Sequence, residues 1–333
     1  MALKNRSREN NNFLLLFTNM IIFFIVQILF EAGIYKDIVG YTDWEFYRSI
    51  LSTRGSHTDF FWGGYISFLA SVKLIFGESA IYFLYFVNVL FLSYWLTRLQ
   101  SYCFFRFGLV GAAYSFNPII YMILPGLFKE TIITIFSIFA LIFWRSRKKL
   151  ISTTFPLFFA LCIIFIRPHL FGIIFIRNTV LFSILLFFFI SVSLFLLNFI
   201  DFGFFVASYL EMRKLGFADM PILLITDAAD IWKLPYNFLI YLLGPLFSEN
   251  PILFLFGSSY MLSFSIIFIR SSGINRKTMG LFIFFYNFYY TFFVSVSGTA
   301  FRVVAFSLLI SVFYCAIVGS GSHRKGLSDP RYG

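Results

Sequence analysis

The feature that most constrains this chain is a series of apolar runs, each close to the length needed to cross a lipid bilayer. A helix needs about 20 mostly apolar residues to cross a hydrocarbon core about 30 Å thick. Only 12% of the 333 residues are charged, against about 25% in an average soluble domain. We therefore exclude a soluble enzyme and predict an all-α, polytopic membrane helical bundle, a single integral membrane domain over 1–333. The candidate membrane helices are 13–30, 60–76, 80–97, 107–124, 131–144, 150–166, 179–198, 251–269, 278–297 and 302–319, with shorter apolar pieces at 168–178 and 236–247.

The distribution of lysine and arginine predicts how the chain is threaded through the membrane. Short loops rich in these residues stay in the cytoplasm, and the clearest are 145–149 and 270–277. With a basic N-terminus inside, a crossing at 60–76 would put loop 145–149 outside, so we interpret 60–76 as a juxtamembrane helix. Residues 31–79 then form a first periplasmic segment. The chain then has about ten transmembrane helices in all, including 13–30, and both termini lie in the cytoplasm.

The stretch between residues 150 and 198 allows two topologies. In the first, 168–178 crosses back as a short helix, and 199–235 is a large periplasmic loop. In the second, two ordinary spans leave 199–235 in the cytoplasm. That loop holds five acidic and three basic residues, and this excess favours the first topology, although acids contribute little to orientation.

The net charge of +11 follows mainly from this orientation. With ten crossings, 13 of the 15 acidic residues lie outside, and most of the basic residues lie inside. The positive excess is therefore a topology signal, and we expect no nucleic-acid partner. The three cysteines lie in apolar runs, and their spacing fits neither a metal site nor a disulfide framework. We expect no cofactor and no metal ligands among them.

Polar residues just beyond the first span are the first candidate functional group. Asp43, Glu45 and Arg48 lie among aromatic residues. A carboxylate in a partly dry site acts as a general base or orients a sugar hydroxyl, and tryptophan and tyrosine rings offer flat faces to sugars. The alternative is an ordinary interfacial loop with a belt of aromatic side chains.

Isolated charges near the predicted outer boundary form a second group. Lys129 follows a stretch in which prolines weaken the helix, and Arg167 and His169 follow a long apolar run. Arg302 is the basic residue in the last predicted outer turn. Ionisable groups at membrane depth are costly, so they tend to be functional or paired, and the arginine fork suits phosphate. The alternatives are that Lys129 is a snorkelling lysine whose ammonium group reaches the interface, that Arg167 only marks the interface, and that His169 is a polar residue at a helix end.

Two weaker features remain. Asp227, Asp230 and Trp232 in the large outer loop are of types that contact glycans, although no spacing marks them. Tyr286, Asn287, Tyr289 and Tyr290 lie too deep for an interfacial belt, so they either face a polar groove or hydrogen-bond between helices. The sequence has no nucleotide-binding loop, zinc-protease motif or nucleophile elbow. We therefore do not expect the protein to use nucleotide hydrolysis as its direct energy source.

The order of these features resembles the Wzy-type polymerases, which build bacterial O-antigen and capsule from repeat units. The shared order is a basic start and one span, the outer stretch Asp43 to Arg48, an interfacial helix, the stretch from Asn117-Pro118 to Lys129-Glu130, the Arg167-Pro168 step, a large outer loop, and Arg302 before the last span. More distantly, the chain is similar to the C-type membrane glycosyltransferases that use polyprenyl-linked donors. As an arrangement, the likeness covers most of the chain.

The resemblance implies a membrane glycosyltransferase of polysaccharide biosynthesis at the periplasmic face of the bacterial inner membrane. Such an enzyme transfers a growing glycan from undecaprenyl diphosphate to an incoming lipid-linked unit. Its partners are the undecaprenyl-diphosphate-linked glycan, the lipid bilayer and a chain-length regulator. The resemblance assigns Asp43 or Glu45 to the acceptor as the catalytic residue. It assigns to substrate binding, chiefly to the leaving diphosphate, Arg48, Lys129, Arg167, His169 and Arg302.

Two other functions stay open at this point. A transferase that adds one sugar from a polyprenyl-phosphate donor would use the same outer acid and fewer diphosphate-binding bases. A flippase for lipid-linked oligosaccharides, or another transporter, would not be an enzyme. Transporters of this kind are commonly built from related halves, and the two halves of this sequence do not look like copies.

Overall fold

The architecture is helical throughout the described part of the chain. The computed structural model describes residues 2–33, 48, 51, 63–124, 129–144, 149–166, 191, 223, 228–246, 251–288 and 303–316. Every regular element among these residues is a helix, which confirms the predicted all-α class. The helices are α1 Ala2–Glu31, α2 Gly63–Phe76, α3 Ala80–Phe107, α4 Leu109–Ser115, α5 Pro118–Ile123, α6 Lys129–Trp144, α7 Lys149–Ile166, α8 Leu234–Leu242, α9 Pro251–Arg270, α10 Gly273–Phe288 and α11 Val303–Ala316, with 3-10 turns at Gly77–Ser79, Ala228–Lys233 and Gly244–Leu246.

Three helical stretches among the described residues are long and apolar enough to cross a membrane. They are Asn12–Glu31, Tyr65–Phe107 and Pro251–Arg270. Four shorter apolar helices accompany them, Leu109–Ile123, Thr131–Ala140, Thr154–Ile163 and Val303–Ala316. These helices are consistent with a membrane protein. Among the described residues, length and composition support three membrane-crossing helices, which is fewer than the ten crossings predicted from the sequence.

The first helix has one buried face and one face of exposed apolar side chains. Asn19, Phe23, Val26 and Phe30 are buried against the rest of the bundle. The spacing of the exposed residues is helical, which puts them on the opposite side. In a bilayer such a surface faces lipid at no cost. The large exposed apolar residues of α1 are Phe13, Leu14, Phe17, Ile21, Phe24, Ile25 and Ile28.

Helices α1 and α3 pack antiparallel along a seam with polar contacts at both ends. Ser101 Oγ donates to Asn12 Oδ1 at 2.9 Å, and Tyr85 Oη donates to Glu31 Oε1 at 2.7 Å. Residue numbers rise along one helix while they fall along the other. The end of α1 and the start of α3 therefore lie at the same end of the bundle.

A buried network in the middle of this seam holds three helices together. Asn19 Nδ2 donates to Thr97 Oγ1 at 2.9 Å and to Gln100 Oε1 at 2.8 Å. Gln100 Nε2 donates to Tyr121 Oη at 2.7 Å, and Tyr121 Oη donates to Asn19 Oδ1 at 2.6 Å. The network ties α1 to α3 and α5, and its cyclic pattern satisfies the amide groups internally. We interpret it as a structural element.

The candidate helices 80–97 and 107–124 leave residues 98–106 between them as a predicted loop, and this region is built differently. Residues 98–106 continue α3 to Phe107, so the loop prediction is wrong there. The chain then reverses at Gly108, whose φ is +61°. The predicted span is broken in two at Asn117, which has an extended backbone and accepts from Ile119 N. An asparagine N-cap followed by proline is a typical helix start.

Most of the other predicted helices are confirmed, with shifted ends. The runs 131–144, 150–166 and 251–269 correspond to α6, α7 and α9, each within two residues at both ends. Helix α10 begins at Gly273 rather than 278, and the run 236–247 is shortened to α8, which ends before Gly244-Pro245. The run 179–198 and the piece 168–178 lie outside the described residues.

Helix α11 is the most deeply buried helix that the structure describes. Every residue from 303 to 313 is buried, which is typical of a helix that is apolar all round. Tyr260 Oη on α9 donates to the carbonyl of Ala305 at 3.1 Å, and Asn287 Nδ2 on α10 donates to Ser307 Oγ at 2.8 Å. For Asn287, hydrogen bonding between helices is therefore the alternative that is confirmed.

Candidate functional site

The candidate site lies where α1 ends, beside the second turn of α3. Helix α1 stops at Glu31, and Gly33 just beyond it has a positive φ of 69° and donates its N–H to the carbonyl of Phe30. A glycine in this conformation commonly terminates a helix. Tyr85 lies on the face of α3 that contacts α1. A carboxyl and a phenol thus meet at the edge of the apolar bundle.

Glu31 is the centre of a short chain of polar contacts. Tyr85 Oη donates to Glu31 Oε1 at 2.7 Å, and Arg48 Nη2 lies 2.9 Å from Glu31 Oε2. Tyr85 is buried, whereas the side chains of Arg48 and Glu31 are 46% and 31% exposed. One carboxylate oxygen therefore binds a buried residue of the bundle, and the other binds an accessible guanidinium. We call these three residues the Glu31 cluster.

The solvent exposure of the Glu31 cluster limits how much its ion pair can stabilise the fold. Charge-assisted hydrogen bonds are short and directional, but an ion pair this accessible to solvent contributes only about 0–1 kcal/mol to stability. The contact therefore orients Arg48 more than it stabilises the fold. A guanidinium presents a planar set of donors that matches the oxygens of a phosphate group.

The polar character of the α1–α3 seam continues below the Glu31 cluster. Gln27 lies one turn before Glu31 on α1, and Asn88 lies one turn after Tyr85 on α3; both are buried. Gln27 Nε2 has no hydrogen-bond partner among the described residues, although buried amides nearly always have one. The cluster is thus the accessible end of a polar strip between two apolar helices.

Of the predicted site residues, Arg48 is the one whose side-chain contacts the structure defines. Lys129 is the first residue of α6. The structure joins Arg48 to Glu31, and it brings no two predicted residues into a contact that the described residues define. The predicted residues outside the described ranges are Asp43, Glu45, Arg167, His169 and Arg302.

Two members of the cluster, Glu31 and Tyr85, were not predicted from the sequence. The available signal was the position of Glu31, an acid directly after the first apolar run. Tyr85 carries no such signal, because it is one of several aromatic residues inside the run 80–97. Its role follows only from the antiparallel packing of α1 and α3.

The start of α6, where Lys129 lies, is positioned by two polar contacts. Thr131 Oγ1 donates to the carbonyl of Leu124 at 2.8 Å, which ties the first turn of α6 to the end of α5. Asn117 Nδ2 donates to Ser259 Oγ at 2.9 Å, which ties the start of α5 to α9. The backbone around Lys129 is therefore attached to the bundle on both sides of the connection.

The last part of the predicted large loop forms a 3-10 turn ahead of α8. Asp230 Oδ1 lies 2.5 Å from Lys233 Nζ, and Trp232 is 66% exposed. Asn237 accepts from the N–H of Leu223 at 2.9 Å and donates to its carbonyl at 2.8 Å. Leu223, ahead of the turn, is thus attached to α8, and the turn presents an indole ring at its surface.

The described residues contain no group of three or more His, Cys, Asp or Glu side chains that could hold a metal ion. In the part of the chain that the structure describes, Arg48 and Glu31 place a cation and a carboxylate together at one end of the bundle. No protein-family model, no curated protein and no solved structure matches this chain.

Proposed function

We propose that the chain polymerises undecaprenyl-diphosphate-linked oligosaccharide repeat units, of O-antigen or capsule, at the periplasmic face of the bacterial inner membrane. The observation that carries this proposal is the half-exposed guanidinium of Arg48, held by Glu31 at the end of a membrane helix. The leaving group of the reaction is a diphosphate. An oriented guanidinium at the membrane edge stabilises the negative charge that develops there.

The antiparallel packing of α1 and α3 supports the topology that this function requires. If α1 runs outward from a cytoplasmic N-terminus, α3 runs back inward, and 31–79 is one periplasmic segment. Helix α2, with 14 residues, is about 21 Å long, which is shorter than the hydrocarbon core of about 30 Å. A helix of this length can lie in a juxtamembrane position, as the charge distribution requires of it. Ten crossings and cytoplasmic termini complete the proposed topology.

The proposed reaction uses the outer carboxylates and cations together. The acceptor hydroxyl oxygen attacks the anomeric carbon of the donor glycan, and its proton passes to Asp43 or Glu45. The bond between that carbon and the diphosphate oxygen breaks, and the diphosphate leaves with the electron pair. Because Glu31 offsets part of the charge of Arg48, other cations share the diphosphate. These are Lys129, Arg167 and Arg302, with His169 as a further substrate-binding residue.

The glycan of a strain that lacks this chain tests the proposed function directly. We expect long polymer to disappear while a single capped repeat unit remains, seen as the loss of the ladder on a glycan gel. A repeat unit that lacks one sugar would instead indicate a single-sugar transferase. Accumulation of complete units on the cytoplasmic face would indicate a flippase. Either of these two results would overturn the polymerase.

Complementation of that strain with point variants tests the site. We expect Arg48→Ala, Arg167→Ala and Arg302→Ala to lose polymer while membrane insertion stays normal, because removal of one stabilising donor costs about a hundredfold or more in rate. Arg270→Ala is the matched control, since Arg270 is an exposed arginine at the end of α9. Full-length polymer from Arg48→Ala would remove the Glu31 cluster from the mechanism.

A further inference from the structure

We infer that the end of α3 opposite the Glu31 cluster binds the phosphate headgroup of an anionic phospholipid. The surface consists of Tyr94, Arg98, Phe105 and Arg106 on α3 and of Leu109 at the start of α4, and we call it the α3 tail. All five residues are exposed. The inference is independent of the proposed function, because it concerns a different end of the bundle and a lipid that is not a substrate.

The two arginines of the α3 tail carry charge that the described residues do not neutralise. Arg98 Nη2 donates to Tyr94 Oη at 3.2 Å, and its guanidinium carbon lies 5.3 Å from the centroid of that ring. No carboxylate of the described residues forms an ion pair with Arg98 or Arg106. A tyrosine contact orients a guanidinium without removing its charge, so both arginines remain available to an anion.

The length of α3 puts these arginines at the right depth for a headgroup. Its 28 residues are about 42 Å long, close to the 40–45 Å of a bilayer that includes both headgroup layers. When Ala80 lies in one headgroup layer, the last turns of α3 reach the other. Tyr94 and Trp95, with ring centroids 5.2 Å apart, lie just before Arg98 as an interfacial aromatic pair would.

Exposed apolar side chains beside the arginines select a lipid over a soluble anion. Phe105 and Leu109 are 79% and 83% exposed, and they flank Arg106 and the turn at Gly108. Arg98 and Phe105 are seven residues apart, so they share one face of the helix. A free phosphate or a nucleotide would leave these apolar groups in water, whereas a lipid surface takes them into the boundary between headgroups and acyl chains.

The antiparallel seam brings the basic start of the chain to the same end. Asn12 bonds to Ser101 on α3, so the preceding turns of α1 run alongside the α3 tail. Those turns contain Lys4, Arg6 and Arg8. The backbone of that basic segment therefore lies at the same end of the bundle as the α3 tail, and positive charge at such a place complements the negative charge of an anionic headgroup.

Native mass spectrometry of the full chain in detergent tests the inference. The protein is titrated with phosphatidylglycerol or with phosphatidylcholine of identical acyl chains. We expect the wild type to bind phosphatidylglycerol more tightly. In Arg98→Gln and Arg106→Gln, that affinity falls about fivefold for each arginine removed, which corresponds to about 1 kcal/mol per charge. Binding of phosphatidylcholine stays unchanged.

A matched control separates a local site from general attraction. Arg270→Gln removes one exposed arginine from the end of α9 and should keep the full preference. An equal loss in Arg270→Gln, or equal binding of both lipids by the wild type, would overturn the inference. If the glutamine variants do not fold, the wild type decides the question, because a preference that high salt leaves unchanged contradicts a headgroup ion contact.

Discussion

Asn19 and Gln100 show how single polar residues fix the register of helices in an apolar bundle. Lipid tails are as apolar as leucine, so an apolar seam alone gives little preference for one register over another. An amide pair at 2.8 Å is satisfied at one register only, because a slip by one turn leaves both amides buried and unpaired. The Glu31 cluster acts in the same way at the accessible end of the seam, where it also orients Arg48.

Gly111 is a position at which a single added methyl group should be costly. A Cβ built on Gly111 would lie 2.0 Å from the carbonyl oxygen of Cys103, which is backbone and cannot turn aside. We expect Gly111→Ala to push α4 away from α3 and to lower the free energy of unfolding by about 1–3 kcal/mol, the usual cost of overpacking. Thermal unfolding of the purified protein measures the loss.

The control for this substitution is another helical glycine with space around it. Among the described residues, a Cβ on Gly280 of α10 would meet the ring of Phe268, at 4.0 Å, and nothing nearer. Gly280→Ala should therefore be neutral or slightly stabilising, since alanine is the better helix former. A Gly111→Ala protein that unfolds at the wild-type temperature would contradict the close contact between α3 and α4.

At the scale of helices, hydropathy predicted where helices lie better than where they end. The runs for α6, α7 and α9 are uniformly apolar and were located closely. Residues 98–106 were predicted as a loop because they contain two arginines and several polar residues. They remain helical because helical hydrogen bonds satisfy the backbone near a membrane and because Gln100 and Ser101 face α1.

The site was only partly predictable for a related reason. Arg48 could be selected from sequence because it is a cation among aromatic residues beside a span. Its partner Glu31 and the buried Tyr85 are brought together by the packing of two helices, and they are 54 positions apart in the chain. Hydrophobic periodicity shows which face of a helix is apolar, but it does not show which helix packs against it.

Cross-linking tests the antiparallel seam between α1 and α3. The side chains of Asn12 and Ser101 are in direct contact at 2.9 Å, so Asn12→Cys with Ser101→Cys should form a disulfide under mild oxidation. With a protease site inserted between residues 34 and 62, the cut fragments then stay together on a non-reducing gel. Phe13→Cys with Ser101→Cys is the control, because Phe13 is largely exposed. Equal cross-linking of both pairs would contradict the seam.

For the whole molecule, the position of α11 explains how the two ends of the chain depend on each other. Tyr260 bonds to Ala305 on α11, and its ring stacks on Tyr114 of α4 with centroids 4.8 Å apart. Helix α4 in turn packs closely against α3, which holds α1. The last described helix therefore completes a core that the early helices begin, and an apolar helix in the interior serves packing more than contact with lipid.

The proposed topology makes a prediction about the two ends of α3 that cysteine labelling can check. In a background without the three native cysteines, Glu78→Cys lies in the exposed turn before α3, and Arg106→Cys lies in its last turn. We expect a membrane-impermeant maleimide to label position 78 from the periplasm and position 106 only after the inner membrane is opened. Detergent should expose both positions equally, as a control for reactivity. Labelling of both from the periplasm would mean that α3 does not cross, and the reverse pattern would put Arg48 in the cytoplasm, where a periplasmic polymerase could not use it.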